Sequence, residues 1–291
     1  MPTVSIIAGS KSDLDFVKPI EKIFTGNEIT FKTDVISAHR DADKLKEYVI
    51  SSDAEYFIAL AGLAAALPGA IAAHTKKPVI GVPLDGGSTS SLAGLESLLA
   101  MIQMPPPKDN KDVAVGCVAI NHPELAAQFI QRSLYIRNEK NRMYDVVIDD
   151  LNWINPQPDL SDNLERALNQ LGLTHTKDNF NNAKVIIALT DSCDTADDIA
   201  GEFLERYKGI CVRQMIMVPV LQVDELKALN YIKSPEWVRT VDGYSPGSAE
   251  TSVLEILNKI YRMAPSGGPA VAVGSRRIDN AAYLAKKLIG K

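Results

Sequence analysis

The chain is expected to fold as a three-layer α-β-α protein, a parallel β-sheet with helices on both faces, and three observations predict it. Short apolar strand patterns alternate with helical ones from residue 3 to about 137, the rhythm of successive βαβ units. Two early strand patterns run directly into small polar and charged residues, Gly9-Ser10-Lys11-Ser12-Asp13 and Ser37-Ala38-His39-Arg40. Strand carboxyl ends lie side by side in such a sheet and form its ligand crevice. Finally, segments of the first half recur in the same order in the second, so a degenerate domain of similar type is expected to follow.

Strands are expected at 3–8, 29–36, 55–60, 78–82 and 113–119, and helices at 12–25, 41–51, 66–75, 92–103 and 122–137. In the second strand, Ile29, Phe31, Thr33 and Val35 fall on one face and Thr30, Lys32 and Asp34 on the other, a period of two. Pro78 and the Gly/Ser-rich stretch 85–94 punctuate the later elements. The charged run Arg137–Arg142 reads as a helix end or linker, and the Pro-containing segment 152–159, after the strand Val146-Val147-Ile148, reads as a loop. These divide the chain into domains at 1–142 and 143–291.

The second domain looks like a repeat of the first. Ala54–Leu60 resembles Ala183–Leu189, Asp85-Gly86-Gly87-Ser88 resembles Asp242-Gly243-Tyr244-Ser245, and Val113-Ala114-Val115-Gly116 recurs as Val271-Ala272-Val273-Gly274. The spacing widens along the chain, so the copies differ by insertions. Residues 144–182 carry neither the Gly-Ser-x-Ser-Asp run nor Ser-Ala-His-Arg, so a second copy has lost its chemistry.

A hydrophobic content of 46% and a charged content of 23% fit a soluble globular protein. The net charge of −5 argues against nucleic-acid binding by a basic surface. A small anionic substrate stays compatible with it, because local dipoles and single arginines act against the overall charge. Cys117, Cys193 and Cys211 and the four histidines show no metal-ligand spacing and no disulfide framework, so no metal is expected. The chain enters a strand pattern almost at once, which predicts no signal peptide. No apolar run reaches the roughly 18 residues of a membrane span, and a cytoplasmic protein without membrane contact is expected.

Gly9 at a strand-to-helix junction permits a tight turn and close approach of backbone to a ligand. Ser10, Ser12 and Asp13 can cap the following helix, whose amino end attracts phosphate; capping alone also explains Ser12 or Asp13. The spacing is not that of a Walker loop. His39 lies at a strand tip beside Ser37 and Arg40, and an imidazole there can move a proton in either direction. Arg40 can bind an anionic group through two parallel hydrogen bonds, or form a surface ion pair. The loop Ala61–Gly69 offers small residues, including Gly62, that let a flat ligand lie against backbone amides; tight helix–sheet packing explains them equally. His74, His122 and His175 read as structural or surface residues.

In order along the chain stand Gly-Ser-x-Ser-Asp (from Gly9), Ser-Ala-His-Arg (from Ser37) and Ala-Gly-x-Ala-Ala-x-Leu-Pro-Gly (from Ala61). Pro-Val-Ile-Gly-Val-Pro (from Pro78) and Ser-Leu-Leu-Ala-Met-Ile-Gln-Met-Pro (from Ser97) follow. Together they resemble the N5-carboxyaminoimidazole ribonucleotide mutase family, also called the catalytic subunit of phosphoribosylaminoimidazole carboxylase. The resemblance covers roughly residues 3 to 137, with a faint echo at Ser266-Gly267-Gly268-Pro269 and Asn280–Ala285. It implies a flavodoxin-like sheet and an aminoimidazole ribonucleotide as substrate. Ser10, Ser12 and Asp13 would hold the ribose phosphate portion, and Ser37 and Arg40 would contact the nucleotide. His39 would be the acid/base, and Gly62 and Leu63 would offer backbone contacts to the transferred carboxylate. It also implies no metal or organic cofactor, and active sites near subunit interfaces in an octamer. A tetramer of two-domain chains would mimic that assembly.

The chain departs from the pattern at Leu63, where many members have a second glycine, and at Ala66, where they have a histidine. Insertions stand at 85–91 and within Pro105–Lys111. Three readings therefore stand side by side: the mutase, a carboxylase using free carbon dioxide, and a non-catalytic nucleotide-binding or scaffolding protein. The related pyridinium dicarboxylate mononucleotide synthase fits the Gly9–Asp13 run less well.

Overall fold

The computed structural model describes residues 3–87, 92–105, 113–137, 142–149, 158–179, 182–190, 214–219, 270–273 and 277–291. Cys193, Cys211, the Asp242–Ser245 and Ser266–Pro269 echoes, Gly274 and most of the two expected connecting segments lie outside them.

The first half follows the expected alternation. Strands β1 (Val4–Ala8), β2 (Phe31–Val35), β3 (Tyr56–Gly62), β4 (Val79–Leu84) and β5 (Gly116–Cys117) are joined through helices. These are α1 (Lys18–Gly26), α2 (Ala42–Ser51), α3 (Leu67–Ala72), α4 (Leu95–Ile102) and α5 (Pro123–Arg137). Every residue of β1 and β4 is buried, as parallel strands covered on both faces require. β2 is an edge strand and buries none of its residues fully, so its alternating sequence reflects one covered face. The expected helix 12–25 is two elements, a 3₁₀ segment Lys11–Phe16 and then α1. Pro19, in the first turn of α1, has no N–H to give and is at home only where a helix begins.

Beyond residue 142 come β6 (Tyr144–Asp149), α6 (Pro158–Gln170), β7 (His175–Thr176), β8 (Ala183–Thr190), β9 (Gln214–Pro219), β10 (Ala270–Ala272) and α7 (Ile278–Ile289). Pro158, expected in a loop, instead starts α6 for the same reason that Pro19 starts α1.

One sheet runs through all ten strands in the order β2-β1-β3-β4-β5-β10-β9-β8-β6-β7. Read from each outer edge inward, the two halves have the same order. The likeness extends to single hydrogen bonds. Thr30 O accepts the N–H groups of Thr3 and Val4, as Thr174 O accepts those of Asp145 and Val146. Ile29 N–H closes onto Phe24 O past Glu28 (φ 56°), as Leu173 N–H closes onto Leu168 O past Gly172 (φ 69°). Val4 pairs with Tyr56, and Val146 with Val185, matching the Ala54–Leu60 and Ala183–Leu189 likeness in the sequence.

The last sequence match is shifted. Gly116 pairs with Ile80, and Val271 pairs with Ile216, so Val271 stands where Gly116 does and not where Val113 does. Apolar runs slide against one another in a sequence comparison, whereas ladder register does not. The halves meet where β5 and β10 pair antiparallel at Cys117 and Ala272, two positions equivalent in the ladders. The other pairings in the sheet are parallel. A single apolar cluster carries Val4, Tyr56, Phe129 and Ile130 together with Ile187, Val271 and Leu284. Among the described residues no helix is long and apolar enough to cross a membrane.

Candidate functional site

In the order β2-β1-β3-β4 the chain turns one way from β1 to β2 and the other way from β1's far side to β3 and β4. The tips of β1 and β3 are the switch point, where such sheets leave a crevice beyond the strand ends. A cavity of about 390 Å³ opens there, lined by Gly9, Ser10, Ser12 and Asp13, by Ser37 to Arg40, by Ala61 to Leu67, and by Gly86. All the residues singled out in the sequence therefore share one cavity: Gly9, Ser10, Ser12, Asp13, Ser37, His39, Arg40, Gly62 and Leu63. Lys11 is exposed and does not line it.

The first wall is a network of short side chains. Gly9 N–H donates to Leu60 O at 3.0 Å, extending the β1–β3 ladder to the rim. Ser10, in extended backbone, accepts the Ser12 N–H at 3.3 Å, and the two hydroxyls are 2.8 Å apart. Ser12 Oγ donates to Asp13 Oδ1 at 3.0 Å. Burial pushes the Asp13 carboxyl above its ordinary value, although hydrogen bonds from Ser12 and Ser10 pull the other way. Gly9 is not needed for a left-handed turn. A Cβ there would meet only ordinary contacts, the closest being Leu60 O at 3.5 Å and Asp13 Oδ2 at 3.6 Å. What glycine supplies is open space above the Asp13 carboxylate.

The second wall is the turn that ends β2. Asp41 N–H donates to Ser37 O at 2.9 Å, Ser37 N–H donates to Asp41 Oδ2 at 3.3 Å, and Arg40 N–H donates to Ser37 Oγ at 3.3 Å. Buried Ser37 thus organises the turn by accepting through its hydroxyl oxygen, which leaves the hydroxyl's donor capacity uncommitted to the turn. His39 and Arg40 sit on the outside of this turn with exposed side chains, at the cavity mouth.

The third wall is the loop between β3 and α3. Leu63 has φ 55°, the left-handed region that favours glycine, and its side chain is 42% exposed at the cavity. Two tight turns follow, with Ala65 N–H on Leu63 O at 2.9 Å and Ala66 N–H on Ala64 O at 2.7 Å. Leu63 thus occupies a glycine-type conformation, and strain is held in the loop that lines the cavity. Ala66 lines the cavity and brings no titratable group.

Gly86, at the tip of β4, is the cavity residue the sequence reading passed over. A Cβ on Gly62 would stand 3.3 Å from Gly86 Cα, so the absence of a side chain at 62 lets the β4 loop close onto the site. That loop is pinned by Asp85, whose Oδ1 accepts the Gly87 N–H at 3.0 Å and whose own N–H donates to Asn121 Oδ1 at 3.1 Å. Hydrogen bonding of the carboxylate by the Gly87 backbone and by the Asn121 side chain holds the Asp85 carboxyl below its ordinary value. The signal for Gly86 in the sequence was Asp85-Gly86-Gly87 directly after a strand, the same kind of tip as the other two.

The remaining histidines lie elsewhere. His122 Nδ1 is 2.7 Å from Glu124 Oε1 on a half-open surface, and His175 Nε2 is 3.3 Å from Asn169 Oδ1. Among the described residues no three His, Cys, Asp or Glu side chains gather as metal ligands. Cys117 is buried, and its burial drives the thiol far above its ordinary value.

A cavity at the switch point of a parallel sheet, whose described lining brings together hydroxyls, a carboxylate, a guanidinium and an imidazole, marks an α/β protein of the kind that binds small ligands beyond its strand ends. Comparison with known proteins supplies the family. The family model for AIR carboxylase matches residues 3–144. The N5-carboxyaminoimidazole ribonucleotide mutase of Methanocaldococcus jannaschii is 40% identical over 136 residues, which are 47% of this chain and 81% of that protein. That of Thermotoga maritima is 43% identical over 129 residues, 43% of this chain and 71% of that protein. The phosphoribosylaminoimidazole carboxylase of Candida glabrata is 38% identical over 159 residues, 54% of this chain but 26% of that protein. The chain belongs to the AIR carboxylase family.

Proposed function

We propose that this protein moves a carboxyl group on an aminoimidazole ribonucleotide, converting the N5-carboxyamino form to the 4-carboxy-5-amino form in purine biosynthesis. One observation carries the reading: the tips of β1, β2 and β3 bring an anion cradle, a single imidazole and a loop of small residues into one cavity. Relatives about 40% identical that bear the mutase name support it.

In this reading Ser10, Ser12 and Asp13 hold the ribose phosphate portion, with the carboxylate on ribose hydroxyls. Ser37 and Arg40 contact the nucleotide, and the backbone at Gly62 and Leu63 faces the migrating carboxylate. The exocyclic N–C bond breaks, releasing carbon dioxide and returning the electron pair to the aminoimidazole. Ring carbon C4 then attacks the trapped carbon dioxide. Trapping replaces a dilute encounter with one inside a closed space, a large advantage in effective concentration. The exocyclic nitrogen, left with the electron pair of the broken bond, takes a proton, and ring carbon C4 loses one to restore aromaticity; His39 gives the first as acid and accepts the second as base, so the proton count closes. No oxidant, reductant or nucleotide triphosphate enters this balance.

Two assays test it, both without ATP: isomerisation of N5-carboxyaminoimidazole ribonucleotide, and carboxylation of aminoimidazole ribonucleotide with dissolved carbon dioxide. Turnover of the first is expected. Turnover of the second alone would transfer the reading to the free-carbon-dioxide carboxylase; Leu63 and Ala66 are the departures that weaken the mutase pattern. Ligand binding without turnover in either would make the chain a nucleotide-binding protein.

Asp13→Asn carries a paired expectation. Burial raises the carboxyl, so its ionised form costs the folded state stability at neutral pH, and the cost disappears as pH falls below the unfolded value near 3.8. The variant should therefore melt higher than the parent at pH 7 and equally with it at pH 3. Its affinity for the nucleotide should fall about ten- to a hundredfold, the loss of a charge-assisted hydrogen bond. Unchanged affinity would remove Asp13 from the ribose.

The repeated strand order and the equivalent pairing at Cys117 and Ala272 support reading the chain as a tandem, with 1–142 catalytic and 143–291 a worn copy. Such a chain is its own pseudo-dimer, and two-domain chains would assemble as a tetramer. Light scattering on the full chain should give four copies, and a monomer would end that part of the reading.

A further inference from the structure

The second half is hydrogen-bonded to the segment that follows α4. Helix α7 lies mainly on its own half but crosses the junction at two points. Leu284 Cδ2 packs so closely on Gly116 of β5 that a Cβ there would stand 2.8 Å from it. Four residues earlier, one turn along the helix, Asn280 Nδ2 donates to Met104 O at 3.2 Å. Asn280 is 1% exposed, and its Oδ1 is buried with no hydrogen-bond partner.

That amide is a poor choice for stability alone. A buried carbonyl oxygen without a donor loses its hydration and gains nothing in return. Its other end, however, holds the segment after α4 by its backbone. Met104 in turn supports α3. A Cβ at Gly69 would meet Met104 Sδ at 3.1 Å and Cε at 3.3 Å, so Met104 fills the space that glycine leaves. Helix α3 begins at Leu67, and the residues leading into it, Ala61 to Ala66, form the third wall of the cavity. Strain at Leu63 makes that wall sensitive to how its far end is anchored.

We propose that Asn280 is a positioning residue for the active site. Through Met104 and Gly69 it fixes the β3–α3 loop against which the migrating carboxyl group lies, so the second half takes part in the chemistry of the first without touching the substrate. The proposal rests on the reading of the function above. It assigns Asn280 to the carboxyl end of the site and not to the nucleotide end, since the Gly9–Asp13 and Ser37–Arg40 walls have their own anchors in β1, β2 and α2.

The test compares the full-length protein with Asn280→Leu, which keeps the side chain's shape and removes its donor, and with Gly69→Ala. The alanine pushes on Met104 from the α3 side and leaves the junction between the halves intact. Both variants should lower kcat about tenfold while the KM for the nucleotide stays within about twofold, the signature of a misplaced reacting group with intact binding. Amide exchange of the 61–69 segment should quicken in both, with that of 9–13 unchanged. A variant that melts lower yet keeps the parental kcat, KM and exchange of 61–69 would reduce Asn280 to a packing residue and overturn the proposal. If the parent shows no turnover with either imidazole nucleotide, the functional reading fails by itself, and the exchange comparison still decides whether Asn280 anchors the loop.

Discussion

Replacing His39 by Asn is expected to leave nucleotide binding intact and remove turnover by about 10²–10⁴-fold, the usual contribution of a positioned general acid or base. The expectation rests on the inventory of the cavity. Among the described side chains lining it, Asp13 and Arg40 are the other ionisable ones, and the proposed reading gives both to binding the nucleotide. Ala66 contributes no proton acceptor, so no second imidazole stands in when His39 is gone. Binding should persist because the proposed reading gives the phosphate and ribose contacts to other residues, and asparagine still hydrogen-bonds from the same turn. That turn is held by Ser37 and Asp41, not by the imidazole. Titration calorimetry and a turnover assay on the same preparation would check both halves. Near-parental turnover would take His39 out of the proton transfer.

Ending the chain after residue 142 is expected to cost the first half its independent stability. Val271 and Leu284 of the second half press on Gly116, and they share one apolar cluster with Phe129 and Ile130 of α5. Exposing a few large apolar side chains costs about 1.5–3 kcal/mol each, so the loss amounts to roughly 5 kcal/mol or more. For a fold of this size that is a fall in Tm of roughly 10–20 °C. The truncation also leaves β5 as an open edge, which invites pairing with a second fragment. Melting and sedimentation of residues 1–142 should therefore show a lower Tm or a dimer, and co-expression with 143–291 should restore the parental behaviour. A monomeric fragment that melts like the full chain would mean two separate cores.

Much of the site was legible because it is local. A strand pattern, a small polar run and the start of a helix occupy a dozen residues, and the parallel topology they imply places their tips together. Gly9–Asp13, Ser37–Arg40 and Ala61–Leu67 were found in that way. Gly9 needs no left-handed turn; a Cβ there would stand 3.6 Å from Asp13 Oδ2, so glycine keeps the space beside that carboxylate clear. Leu63 read as a departure from a glycine-rich pattern, but only the backbone shows that it adopts the glycine conformation itself.

The alternation of strands and helices, the three site loops and the likeness between the halves follow from the sequence alone, because hydrophobic period and turn chemistry act over a few neighbouring residues. The junction at Cys117 and Ala272, the entry of Gly86 into the cavity, and the bond from Asn280 to Met104 were decided by the tertiary structure. Each joins residues whose local sequences carry no trace of the partner. Their contact depends on the register of a ten-stranded sheet and on which surfaces remain to be buried once the strands have paired.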